Sequence, residues 1–258
     1  MIYYKTDAEI ELLRASNILV SKTLAEVAKF IEPGVTTLRL DAIAEEFIRS
    51  HGAIPAFKGY GGFPASLCTS VNDEVVHGIP SGYTLREGDI ISVDCGVVLN
   101  GFVGDSAYTF PVGEISPEVR RLCDFTRESL EAGVKEAVVG KRIGDIGWAV
   151  QTKAESGGYS VVRTLVGHGL GRRMHESPEV PNYGRRGSGI RLNKGLVICI
   201  EPMINMGVKN TRTLDDGWTV KTADGKPSAH FEYAVAVREG KADVLTTYEY
   251  INEVLDKR

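Results

Sequence analysis

One stretch of this chain is written twice. LREGDIISVD, from Leu85 to Asp94, aligns without gaps on LNKGLVICIE, from Leu192 to Glu201, at an offset of 107 residues (192 − 85). Leucine, glycine and isoleucine match, and an acid closes both copies. Upstream, Gly34 matches Gly140, Leu40 matches Ile146 and Gly52 matches Gly158, each pair 106 apart. Chance resemblance between two amphipathic helices would account for the upstream matches alone. Two agreeing offsets point to duplication, which confines the fold to two related halves and predicts a shared site where the acid-ended strands meet.

The elements follow the same rhythm. Thr6 and Glu9 form a capping box before Leu12, Ala15 and Leu19, so residues 7 to 31 are expected to be helical, ending at Pro33-Gly34. Leu40, Ile43, Ala44 and Phe47 give a second helix its buried face, and Gly52 stops it. From 55 to 114 short β-branched runs alternate with turn residues, as in a sheet. Ser116-Pro117 starts a helix that runs to Gly140, a shorter one covers about 145 to 155, and strands return from Tyr159 to about Val244. The class is α+β, with a helix-helix-β-hairpin unit duplicated around a pseudo-two-fold. We expect residues 1–258 to form one catalytic domain with pseudo-repeats at about 34–114 and 140–240.

Composition narrows the function. Thirty basic residues against thirty-four acidic ones give a net charge of −4 with no basic block to follow a phosphate backbone, so nucleic acid is not the expected substrate. No run approaches the roughly 20 apolar residues that span a bilayer, and the first residues carry no leader, so we expect a cytoplasmic protein without a membrane partner. Cys68, Cys95, Cys123 and Cys199 are 27, 28 and 76 residues apart and read as reduced, mostly core thiols.

Asn100-Gly101 is a strong hairpin signal. Counting back from that turn pairs Leu99 with Phe102, Val97 with Gly104 and Gly96 with Asp105. Asp94 and Asp105 then lie diagonally on one face, about 7 to 8 Å apart along the backbone, where both can reach one ion. In the second copy Glu201 stands where Asp94 does, and Glu232 is taken as the counterpart of Asp105. Four carboxylates on a half-buried sheet repel and are driven to protonate unless divalent cations neutralise them. Any one of them alone reads better as a solvated strand residue; the set favours metal.

Of five histidines, His168 and His175 sit in GHGLGRRMH, where glycines argue for strand-turn-strand rather than a helix and both rings are expected to enter one cleft from opposite sides. His77 lies in NDEVVHGIP before a turn. His51, near a helix end, and His230, beside Glu232, read as structural.

Together HGIP, SVDCG, GDSA, GHG with a histidine seven residues on, EPM and the final FE strand resemble the methionine aminopeptidases, over about residues 5 to 250. The resemblance implies the duplicated "pita-bread" fold, with a curved, mainly antiparallel sheet. The 31 residues between Glu201 and Glu232 (232 − 201) leave no room for the helical insert of the type II enzymes, so the short bacterial type I form is implied.

Position by position, Asp94, Asp105, His168, Glu201 and Glu232 resemble the family's metal ligands, Asp105 and Glu232 bridging two ions, Asp94 on one, His168 and Glu201 on the other. The implied cofactors are two divalent ions (cobalt, manganese, ferrous iron, zinc or nickel). A hydroxide held between them attacks the peptide carbonyl, Glu201 takes the proton, His175 donates to the carbonyl oxygen and His77 contacts the scissile nitrogen. Tyr60, Phe63, Cys68, Met174 and Trp218 are implied to hold the methionine side chain, and Asn72, Glu74 and Ser228 a sodium or potassium ion. Implied substrates are peptides and nascent chains with N-terminal methionine and a small second residue, with the ribosome as a candidate partner and the chain a monomer. Ile2 is large, so this chain should keep Met1. Two rivals stand beside this reading. One is an Xaa-Pro aminopeptidase or prolidase, whose chains normally carry a further N-terminal domain; the other is a metal-free binding module, which the complete ligand set disfavours. GHGLGRR and YGRRGSGIR do not follow the phosphate-binding glycine patterns.

Overall fold

The structure, a computed structural model, describes residues 1–257. Helix α1 spans Asp7–Ala28, begun by the Thr6/Glu9 capping box, and α2 spans Thr37–Ser50, begun by Thr36. Ser116 caps α3, Pro117–Glu136, and α4 runs Ile143–Ser156. α1 ends before the expected residue 31 because residues 29–30 tighten into a turn ahead of Pro33. A short helix α5, Glu249–Leu255, follows the last strand and has no counterpart in the sequence reading.

The duplication is visible in main-chain contacts. The Gly34 amide donates to Leu85 O at 2.8 Å, and the Gly140 amide donates to Leu192 O at 3.1 Å. In return Leu85 N–H donates to Val35 O and Leu192 N–H to Lys141 O, each at 2.8 Å. Gly34 and Gly140 share the left-handed region, with φ of 97° and 92°, which glycine occupies without strain.

Two main sheets carry the site. In the first, Ile90–Leu99 pairs antiparallel with Phe102–Pro111, Leu67–Val71 and Ile54–Pro55. In the second, Val197–Ile200 pairs antiparallel with Tyr233–Ala236 and meets Gly167–Gly169, which pairs with Glu176–Val180. The halves are stitched along one seam: the Ser106 hydroxyl donates to Glu232 O, and the Thr109 hydroxyl donates to His230 O, both at 2.7 Å.

Alternation divides the core in two. Ile198 and Ile200 point to the large cluster under the helices, with Val20, Leu24, Leu130 and Val150. Val197 and Cys199, which alternate with them along the strand, join Phe57, Phe63, Cys68, Phe102 and Met174 on the opposite face, and the site lies on that second face.

Candidate metal centre

The first hairpin has the register that its turn dictates: Leu99 faces Phe102, Gly96 faces Asp105 and Asp94 faces Ala107. Asn100 and Gly101 supply the positive φ of a type I′ turn, at 52° and 75°. α1 sets the height of Asp105, because Asn17 Oδ1 accepts the Asp105 amide at 3.0 Å. Asp41 of α2 anchors the neighbouring strand by accepting the Ser66 and Leu67 amides, each at 2.8 Å, and that strand places Cys68 opposite Asp94.

The second hairpin departs from the expected symmetry. Tyr233 faces Ile200 and His230 faces Met203, so the same count sets Glu232 opposite Glu201. Glu232 is therefore one pleat away from the place that Asp105 holds in the first half, and His230 occupies that place. The counterpart assigned from the sequence was wrong in register because the duplicated strands match while their return strands are offset. Tyr248, just before α5, fixes Glu232: its hydroxyl accepts the Glu232 amide at 3.0 Å and donates to Ala107 O at 2.8 Å.

Asp94, Asp105, His168, Glu201 and Glu232 line one cavity of about 190 Å³, with His77, His175, Tyr60, Phe63, Cys68, Met174 and Trp218 in its walls. All the residues that the sequence assigned to metal, catalysis and the methionine pocket are thus brought together. Phe57, Val76, Leu165, Val166 and Met203 also line it, and no motif marked them. Trp218 meets Phe63 edge-on at 5.1 Å between centroids, and Met174 reaches Phe57 across Gly96. Asn72, Glu74 and Ser228 lie away from this cavity. Asn72 and Glu74 border a separate polar one of about 280 Å³, and the Asn72 carbonyl accepts the Ser228 amide at 2.9 Å.

The two histidines of GHGLGRRMH enter one cavity, with ring centroids 4.4 Å apart and ring planes nearly perpendicular. Their segment turns back on itself, held by Lys5, which pairs with the buried Glu176 carboxylate at 2.7 Å. His168 Nδ1 lies 3.0 Å from the Gly169 carbonyl, which fixes the proton there and leaves the Nε2 lone pair facing Asp105 at 3.6 Å and Glu201 at 3.5 Å. Burial and the neighbouring His175 lower its pKa to about 4. His77 is held at φ 59°, a rare conformation for a residue with a side chain, and desolvation lowers its pKa too.

The carboxylates are perturbed in the opposite sense. Burial raises Asp94 to about 7. Asp105 is pushed well up by burial and then by Glu232 and Asp94; Glu201 by burial and then by Asp105 and Asp94; Glu232 by burial and then by Glu201 and Asp94. Asp94 Oδ1, Asp105 Oδ1 and Glu232 Oε1 are buried without a hydrogen-bond partner. Among the described residues no lysine or arginine pairs with any of the four. Carboxylates withdrawn from solvent, with no lysine or arginine partner and with oxygens left unbonded, around a neutral histidine are a donor set that fits divalent cations.

Two residues read from the sequence as structural belong to this surrounding. Cys199 is a core thiol as expected, and its sulfur lies within 4.8 Å of donor atoms of Asp105, His168 and Glu232. His230 is 1% exposed, with Nε2 3.9 Å from Glu201 Oε2. No turn signal in the sequence fixes the register that places it there. His51 ends α2 as expected, with Nδ1 2.8 Å from the Phe47 carbonyl.

Comparison with known proteins agrees with this geometry. A family model described as metallopeptidase family M24 matches residues 11–239. A methionine aminopeptidase of Clostridium acetobutylicum is 53% identical over 250 residues, covering 96% of this chain and 100% of that protein. Methionine aminopeptidase 1 of Bacillus subtilis is 50% identical over 246 residues, covering 95% and 99%. The crystal structure of methionine aminopeptidase from Rickettsia prowazekii superposes with a TM-score of 0.95 at 40% identity, covering 96% of this chain and 100% of that one. An Xaa-Pro dipeptidase from Bacillus anthracis shares the fold at a TM-score of 0.74 and 21% identity, and the match spans only 62% of its length.

Proposed function

The chain belongs to metallopeptidase family M24, and from that premise we propose how its own residues remove an N-terminal methionine. It is a metal-dependent hydrolase acting on peptides that begin with methionine. The observation that carries the reading is the group of four carboxylates, Asp105 and Glu232 buried and Asp94 and Glu201 half-buried, around one neutral histidine beneath apolar walls, with no lysine or arginine among the described residues to balance them.

Asp94, Asp105, His168, Glu201 and Glu232 would hold two divalent cations. When bound, these supply the Lewis acidity that makes water a nucleophile at neutral pH and polarises a peptide carbonyl. Such a centre would also favour a free α-amine, which an internal peptide lacks, and so the first peptide bond. Glu201, half-buried and unpaired with any lysine or arginine, accepts the proton released by the attacking water. The Tyr60 hydroxyl lies 2.7 Å from His175 Nδ1; donating there, it leaves His175 Nε2–H free to stabilise the oxygen on which charge develops. His77 stands by the scissile nitrogen. Phe57, Phe63, Cys68, Met174 and Trp218 give the methionine side chain an apolar, polarisable seat, and we read the restricted room as the reason for a small second residue.

The side chains of Asn72 and Ser228 are engaged with Asp89 and Asn205, and the Glu74 carboxylate accepts the Val71 amide, so a sodium or potassium ion there would rest on main-chain oxygens. We read residues 1–258 as one catalytic unit, monomeric and cytoplasmic, meeting nascent chains at the ribosome. No helix among the described residues is long and apolar enough to cross a membrane.

Protein stripped by a chelator is expected to lose cleavage of Met-Ala-Ser and to regain it with cobalt, manganese or ferrous ion. Full activity after rigorous metal removal overturns the reading, and preference for Xaa-Pro peptides over Met-Ala would turn it toward the prolidases.

A further inference from the structure

The second hairpin brings a third imidazole to the metal centre. The strand Ser228–His230 pairs with Met203–Asn205 so that His230 faces Met203, two residues beyond Glu201. In the first half Asp105 faces Gly96, two residues beyond Asp94. The duplication thus delivers His230 to the position where its twin supplies a metal ligand.

Its backbone is fixed. The His230 amide donates to Thr109 Oγ1 at 2.9 Å, and the Thr109 hydroxyl donates to His230 O at 2.7 Å. Its ring is 1% exposed, and neither Nδ1 nor Nε2 has a hydrogen-bond partner. A buried imidazole without partners calls for an explanation. The polar atom facing it is Glu201 Oε2, 3.9 Å from Nε2, while the other oxygen of that carboxylate lies 3.5 Å from His168 Nε2. A closure of about 1 Å would bring the pair into hydrogen-bonding range.

We propose that His230 is a positioning residue: Nε2–H donates to Glu201 Oε2 and fixes the carboxylate so that one oxygen serves the metal side, toward His168, and the other takes the proton. The inference rests on the aminopeptidase reading above. Partners that orient a ligand in this way commonly matter 10–100-fold, as an order of magnitude, in metal affinity or rate.

The test uses the full chain and three variants. Kinetics on Met-Ala-Ser are measured beside cobalt binding by calorimetry and the visible spectrum of the cobalt protein. His230→Leu removes the donor at similar bulk and His230→Asn leaves one too short to reach. Both should lower kcat and cobalt affinity by about 10- to 100-fold with little change in KM. His230→Gln, which can donate from its own amide, should restore both and the wild-type spectrum.

The proposal is overturned if Leu and Asn match wild type, or if Gln falls as far as they do. It is also overturned if every variant, Gln included, loses one equivalent of cobalt, since His230 would then be a direct ligand. A wild-type chain that binds cobalt but does not cleave Met-Ala-Ser would instead sink the aminopeptidase reading.

Discussion

Two histidines 4.4 Å apart can be given different work by their first hydrogen bonds. His168 is tied through Nδ1 to a carbonyl and must present a lone pair; His175 is tied through Nδ1 to a hydroxyl and can present a proton. His168 is 8% exposed among the carboxylates, whereas His175 stands at the cavity mouth beside the exposed Tyr60. His175→Ala is therefore expected to lower kcat by roughly 10²–10³, the scale of losing one oxyanion donor, while bound metal per chain stays at the wild-type value. Loss of the bound metal in the variant, read by elemental analysis, would place His175 among the ligands instead. Tyr60→Phe removes the hydroxyl that orients the ring and should reproduce part of the loss.

At the scale of elements, the site depends on how closely the first hairpin approaches the loops around it. A Cβ on Gly96 would come within 2.5 Å of Phe57 Cε1 and 2.8 Å of Met174 Cε, so only glycine lets both side chains close over the strand beside Asp94. Gly96→Ala is expected to cost about 1–3 kcal/mol in a denaturant melt and to raise KM for methionyl peptides more than it lowers cobalt affinity. Unchanged KM would show that Phe57 and Met174 do not form the substrate wall.

The same hairpin explains what could be read in advance. Asn100-Gly101 sits between strands of ten residues each, so turn chemistry fixed the register and with it Asp94 and Asp105. The second hairpin has no such turn: Val197–Ile200 and Tyr233–Ala236 are joined by a long excursion through four further short strands. Its register could not be counted, and Glu232 was taken as the counterpart of Asp105 for that reason. Tyr248 and α5 carry no periodic signal long enough to mark them, although Tyr248 holds Glu232 in place.

For the whole molecule, the metal centre is a cost of folding when no cation is bound. Asp94 has its pKa raised from 3.8 to about 7, and Asp105, Glu201 and Glu232 are raised well above ordinary carboxylate values, chiefly by burial. Between the unfolded and folded pKa of each group, the folded chain holds more protons than the unfolded one. Stability therefore falls as pH rises through that window. For Asp94 the loss runs from about 4 to about 7, and Asp105, Glu201 and Glu232, raised in the same direction by burial and by one another, act with the same sign.

The buried histidines act at the other end. His168 and His230, lowered to about 4 and about 3, cost stability as pH drops below 6.5. Above pH 6.5 the histidines no longer contribute and the carboxylates act alone. The melting temperature of chelated protein should then decline as pH rises from 6.5 through about 7. Protein loaded with manganese or cobalt should not follow it, because a bound cation holds these groups ionised at no penalty. The gap between the two forms widens with pH. Scanning calorimetry of both forms in matched buffers measures it directly. A gap that stays constant across the range would mean that the four carboxylates are already ionised in the metal-free fold, and that cations do not balance their charge.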